Sequence, residues 1–155
     1  MLNQLTRLSV DADGRYATAE ELQFLKDYLA STESRISAYE KIRDAEDEIM
    51  DQLEAEARTK NPHVFMKGSE DMTPVCRRDR KHLLKCAAAA MLIDDLDRLR
   101  DGLLMWQRTI IHAMKDEQAS QLICRLLPNV IKQHLTPEEE AIMMPALRLN
   151  QALLG

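Results

Sequence analysis

Glycine is scarce in this sequence, with four in 155 residues, and no run of β-branched residues alternates with polar ones. Strands are therefore not expected, and neither are glycine-rich phosphate-cradling loops. Gly-x-Ser-x-Gly and His-Glu-x-x-His are both absent, which removes the nucleophile elbow and the helical zinc-protease site. The three cysteines, Cys76, Cys86 and Cys124, have no paired spacing. That excludes a disulfide framework and a zinc site, and points to a reducing, cytoplasmic compartment. The longest uncharged apolar run, Cys86 to Ile93, is too short to enter a bilayer, and the N-terminus lacks the apolar core of a signal peptide. Positive charge is also short. A net charge of −5 and a pI near 5.4 disfavour a nucleic-acid partner, since phosphate binding needs a basic surface.

What remains is rich in helix formers: Ala, Leu, Met, Glu and Arg. With an apolar fraction of 45% and charged residues at 30%, the chain reads as one all-α domain over residues 1–155. Residues 2–9 form a short helix ended near Asp13-Gly14. Thr18-Ala-Glu-Glu21 is a capping box opening a helix with Leu22, Leu25 and Leu29 on one face, interrupted at Ser31 and Thr32. A longer helix, or two with a bend, follows from about 33 to 60 with Ile36, Tyr39, Ile42, Ile49 and Leu53 inward. Asn61-Pro62 stops it. After a loop over 61–72, with a turn at Lys67-Gly-Ser-Glu70, a helix runs to about Ile93. Asp94 or Asp95 caps the next, whose stripe is Leu96, Leu99, Leu103, Trp106 or Gln107, and Ile110. Trp106 and most methionines read as core. A helix over about 117–133 contains Pro128. Thr136-Pro-Glu-Glu139 then opens a last helix with Ile142, Ala146, Leu149 and Leu153 inward.

The chemistry concentrates at Asp71 to His82. Thr73 reads as an N-cap and Pro74 as the first helical residue, which places Cys76 among unpaired backbone N–H groups that favour thiolate. Asp79 lies three residues on and shares its face. Arg77, Arg78, Arg80 and Lys81 sit at the wrong pole of the helix dipole. No structural reason for them is visible in the sequence, whereas a ligand with anionic groups would supply one. Cys76, Asp79, Leu83, Cys86 or Ala87, and Ala90 make a stripe with a thiol and a carboxylate at its start, suited to a flat apolar ligand tethered at one end. His82 is a candidate ligand contact or an axial ligand for a haem iron. A Cys76–His82 nucleophile pair is disfavoured because the spacing places them on different faces. Acidic pairs at helix starts are explained as caps, and no catalytic site is expected.

Met72-Thr-Pro-Val-Cys76-Arg-Arg78-Asp79, followed by Leu84-Lys85, resembles the phycobiliprotein signature, in which a Met-Thr-x-x-Cys-x-Arg-Asp run carries a thioether-linked bilin. Asp11-Ala-Asp-Gly-Arg15-Tyr16-Ala-Thr18, Glu21-Leu22, Lys60-Asn-Pro62-His-Val64 and the chain from Cys124-Arg125 onward resemble family segments in the same order. The resemblance implies a globin-like domain with an N-terminal helical extension that pairs two subunits. In such a pair Asp11 or Asp13 faces a cation of the partner, and Lys85 stands at the usual Arg position. It also implies a linear tetrapyrrole, such as phycocyanobilin or biliverdin, anchored on Cys76. Asp79 would bond the pyrrole N–H groups and Arg78, with Arg77 or Arg80, the propionates, while His82 and Leu83 line the ligand. The chain departs from light-harvesting subunits where His82 and Leu83 replace a tyrosine pair, where Arg80 and Lys81 stand, and in its shorter loop before Cys76. Those departures favour the bilin biosynthesis-associated globins, a bilin-handling branch, over a main antenna subunit. A minor phycobilisome light-harvesting subunit and a haem-binding globin-like protein are the alternatives.

Overall fold

A computed structural model describes residues 1–155. The chain is all-α apart from one small hairpin. Its helices are α1 (Leu2–Asp11), α2 (Gln23–Asp44), α3 (Glu46–Lys60), α4 (Thr73–Ile93), α5 (Leu96–Leu99), α6 (Met105–Met114), α7 (Glu117–Ile131) and α8 (Pro137–Leu154). A π-helical turn, Arg100–Leu104, joins α5 to α6. Strands β1 (Met66–Lys67) and β2 (Glu70–Asp71) pair antiparallel across a turn in which Gly68 has φ 63°. The turn expected at Lys67–Glu70 is thus a hairpin, with strand pairing the residue pattern did not suggest.

The core is a single cluster drawn from α2, α3, α4, α5, the π turn, α7 and α8. Ile49, Met50, Leu53, Leu84, Met91, Leu104, Val130, Ile131 and Met143 are its largest fully buried residues. The last helix opens as its sequence predicts. Thr136 Oγ1 accepts from the Glu139 N–H at 3.3 Å while a Glu139 carboxylate oxygen accepts from the Thr136 N–H at 2.7 Å. Glu139 also reaches α2, taking Lys41 Nζ at 2.7 Å and the Ser37 hydroxyl at 2.6 Å.

Several expectations about packing are corrected. Ser31 and Thr32 do not interrupt α2, because both hydroxyls donate to the Tyr28 carbonyl at 3.0 Å and stay within the helix. The break falls at Ala45. Leu29 and Ile36 are exposed rather than inward. On α8 Ala146 is buried as expected, but Met143, Asn150 and Leu154 are buried in place of Ile142, Leu149 and Leu153, each one position on, with Leu147 beside them. The Thr18–Glu21 capping box forms, at 2.8 and 3.2 Å, but continuous helix begins only at Gln23.

The most consequential correction is in α6, which buries no residue. Leu99 and Leu103 are in the core, yet Trp106 is 63% exposed and Ile110 is exposed too. The stripe fails because the π turn inserts a residue. Each added residue rotates the downstream helix face by about 100°, so Trp106 and Ile110 leave the core-facing side.

Helix α1 folds back on its own chain. The Met1 amino group donates to the Asp94 carbonyl, and the Asn3 amide donates to Asp95 Oδ1 at 3.4 Å. Asp95 also caps α5 through the Arg98 N–H at 3.1 Å, while Asp94 closes α4 in the left-handed region at φ 50°.

Candidate functional site

The start of α4 is built differently from its sequence reading. The N-cap position falls on Met72, not Thr73, and Asp71 just before it bonds the first helical residue. Its Oδ1 accepts from the Thr73 N–H at 2.9 Å and from the Thr73 hydroxyl. Arg58 Nη2 donates to that same hydroxyl oxygen at 2.9 Å. The helix therefore begins one residue earlier, and the Cys76 N–H is already bonded to the Met72 carbonyl at 2.9 Å. No free N–H pole stabilises a thiolate there. Burial pushes the Cys76 thiol up. Arg80 opposes this, and Asp116, Asp79 and Asp71 add to it. The surroundings of Cys76 favour its neutral thiol, in contrast to the thiolate that the helix-start argument suggested.

Three of the cations that seemed to lack a structural reason have one. Helix α3 presents Glu46, Asp47, Asp51 and Glu54 toward α4. Arg77 pairs with Asp51 at 2.7 Å and with Asp47 and Glu54 at 3.3 Å. Arg80 pairs with Glu54 at 2.8 Å in a setting where both are buried, and its guanidinium lies 4.5 Å from the Phe65 ring centroid. Lys81 takes Asp47 at 2.6 Å and Glu46 at 3.0 Å. These side chains lock α4 onto α3 and the hairpin. The spacing of the acids on α3 matched that of the bases on α4, but only the antiparallel approach of the two helices joins them.

On the other side of α4 a cleft of about 650 Å³ opens against α6. Cys76, Arg78, Asp79 and His82 line one wall; Trp106, Ile110 and Met114 line the other, with Asp116 at one end. The volume suits a ligand of several hundred daltons, and a mostly apolar cavity carrying a few polar groups is the usual form of a small-molecule site. Arg78 pairs with its neighbour Asp79 at 2.9 Å, and both are more than half exposed. Arg77, Arg80 and Leu83 lie outside the cleft. Arg77 and Arg80 face α3, and Leu83 is buried in the core. Cys76 and His82, assigned to different faces by their spacing, both reach the cleft because it is wide enough to span that angle.

The residues the sequence reading missed are the opposite wall. Trp106 read as core because it continues the Leu99–Leu103 stripe, and nothing local signals the π turn. Asp116 accepts no attention in sequence, being the first residue before α7; its N–H bonds the Ile111 carbonyl at 3.0 Å, which turns the chain back at the end of the cleft.

The cleft brings a thiol, a carboxylate and an apolar face together. The thiol can form a thioether, the carboxylate is an acceptor for converging donors, and the indole with its aliphatic neighbours is an apolar face in need of cover. Among His, Cys, Asp and Glu side chains no cluster of three or more is arranged to hold a metal. No helix is long and apolar enough to cross a membrane. A family model described as phycobilisome protein matches residues 8–153. No curated protein matches the chain.

Proposed function

The chain belongs to the phycobilisome protein family, globin-like all-α proteins whose members bind linear tetrapyrroles, and on that premise we propose that it holds a bilin in the α4–α6 cleft. The observation that carries the reading is the pairing of Cys76 and Asp79 on one wall with the exposed Trp106–Ile110–Met114 face on the other. Cys76 is the candidate thioether anchor, Asp79 the acceptor for the pyrrole N–H groups, and Arg78 the cation for a propionate, by charge-assisted hydrogen bonding. His82 lines the same wall one turn on from Asp79. When bound, a bilin supplies visible absorption; the chain's own residues bind it, orient it and cover it.

The role that fits is bilin handling rather than antenna function. Arg78 is the single arginine or lysine lining the cleft, and that wall is open to solvent. A loosely covered pigment suits a carrier, whereas efficient energy transfer needs a stiffly held one. Family members assemble with related subunits. Here Val10, Tyr16, Leu29 and Ile36 leave an exposed apolar stretch on and after the N-terminal arm, which supports pairing of two copies through that region.

The test is co-expression with enzymes that make phycocyanobilin or biliverdin, with and without an attachment enzyme. A purified protein with a red absorption band supports the proposal. One that remains colourless with every bilin tried refutes it. A Soret band abolished by His82→Ala would instead assign a haem.

A further inference from the structure

A second thiol, distinct from the one in the α4–α6 cleft, stands in a different chemical setting. Cys86 is half-buried on α4, with its Sγ 3.8 Å from His82 Nε2. It lines two adjoining cavities of about 690 and 370 Å³ on the side of α4 that faces α1, α2 and α5. Tyr39, Ala89, Leu99 and Leu103 make these walls largely apolar. The larger cavity meets the α4–α6 cleft at His82 and Leu103, which border both.

An arginine is the strongest charge acting on each thiol, Arg80 at Cys76 and Arg98 at Cys86; the two differ in the carboxylates, which act on Cys76 alone, and in the imidazole, which touches Cys86 alone. Cys76 has Asp71, Asp79 and Asp116 among its neighbours, against Arg80. Around Cys86 the charged and titratable groups are His82 and Lys85 from α4, Tyr39 and Arg43 from α2, Glu46 from α3 and Arg98 from α5. Glu46, the one carboxylate, is taken by Lys81 and Lys85 at 3.0 and 3.1 Å. Arg98 makes no ion pair. Burial pushes both thiols up, but the charge acting on Cys86, that of Arg98, opposes the rise. What sets Cys86 apart is geometric: an imidazole nitrogen lies within reach of its S–H proton, so a base can generate the reacting thiolate there.

We infer that Cys86 and His82 form a second covalent site, which takes flat apolar electrophiles bearing a polarised carbon–carbon double bond and, facing Arg98, an anionic group. The step balances without an oxidant or a leaving group. The S–H bond breaks and its proton passes to His82 Nε2, with the other ring proton on Nδ1. Sulfur forms an S–C bond to the β-carbon as the C=C π bond breaks. The resulting enolate then takes its proton back from the imidazolium. Nothing in this step depends on a ligand in the α4–α6 cleft.

The test uses the free full-length protein and limiting N-ethylmaleimide at pH 7, with the labelled cysteine identified by mass spectrometry. Cys86 should be modified ~10-fold faster than Cys76, and Cys124, whose thiol burial pushes up to about 11, should be slowest. His82→Gln should slow Cys86 several-fold, because it removes the base in contact with that thiol. Arg98→Gln should slow Cys86 as well, with circular dichroism confirming that each variant is folded. Labelling of Cys76 first, or a Cys86 rate indifferent to both substitutions, would overturn the inference. Either result leaves the bilin proposal standing, since that is read from pigment uptake rather than from maleimide kinetics.

Discussion

Glu54→Ala should be among the most damaging single substitutions in this protein, and it separates the cations that hold α4 from the one that faces the α4–α6 cleft. Glu54 is 7% exposed and Arg80 9%. Glu54 is the only carboxylate paired with Arg80, whereas Arg77 keeps Asp51 and Asp47 if Glu54 is lost. Arg80 Nε already lacks a hydrogen-bond partner. Removing Glu54 therefore leaves a buried guanidinium with no acceptor and only the Phe65 ring beside it. Breaking a buried pair from one side costs about 3–5 kcal/mol. For a chain of this size that is a fall in Tm of roughly 6–20 °C. Arg80→Ala should cost less, about 2 kcal/mol, because Glu54 retains Arg77 at 3.3 Å. The double substitution to methionine at both positions should recover much of the loss, since it removes the desolvation penalty along with the pair. Urea unfolding at pH 7, read as a shift in midpoint at constant slope, measures all three. A cost for Glu54→Ala below about 1 kcal/mol, or one smaller than that of Arg80→Ala, would refute the assignment of Arg80 as a structural cation. In bilin uptake the order should reverse. Arg78→Ala should weaken pigment retention, and Arg80→Ala, assayed well below its melting temperature, should not.

Three further outcomes follow from the same geometry. Burial acts to raise the Glu139 carboxyl, but Lys41, Ser37 and the Thr136 cap together outweigh it and hold it down at about 2; its contribution, about 2–3 kcal/mol after allowing for the partial exposure of Lys41, is present above pH ~4.5 and disappears as pH falls through ~2. The stability gap between the native protein and Glu139→Gln should therefore close between pH 4.5 and 2, and a gap that persists at pH 2 would contradict the clamp. In the free protein the amides of α6, which buries no side chain, should exchange with deuterium much faster than those of α4 and α8, and equal protection would mean that the Trp106 face is covered. In the pigmented protein Cys76→Ala should still take up bilin but release it on acid denaturation, while Asp79→Ala should keep attachment and broaden, shift and weaken the red band; an unchanged spectrum would remove Asp79 from the ligand.

Much of this molecule was legible in the order of its residues because the relevant physics is local. Thr136, Pro137 and Glu139 make their cap within a single turn. Asn61-Pro62 stops α3, whose last helical residue is Lys60. The Cys-x-Arg-Asp run lies on a helix start and shares a face by spacing alone. These features depend on neighbours a few positions apart, so the sequence by itself determined the all-α class, several helix ends, and the placing of Cys76 and Asp79 on one helix. Tertiary structure decided the rest. The cations after Cys76 looked like a ligand's counter-charges until α3 brought Glu46, Asp47, Asp51 and Glu54 against them. Trp106 looked like core until the π turn rotated it outward to form the opposite wall. Cys76 looked like a thiolate until Asp71 moved the helix start and Met72 took its N–H. Each of these turns on which surface meets which at distances of tens of residues, and on register shifts that no local pattern encodes. Residue type told which groups carry charge; only the packing of α3 and α6 on either side of α4 decided which of them are taken up by α3 and which line the cleft.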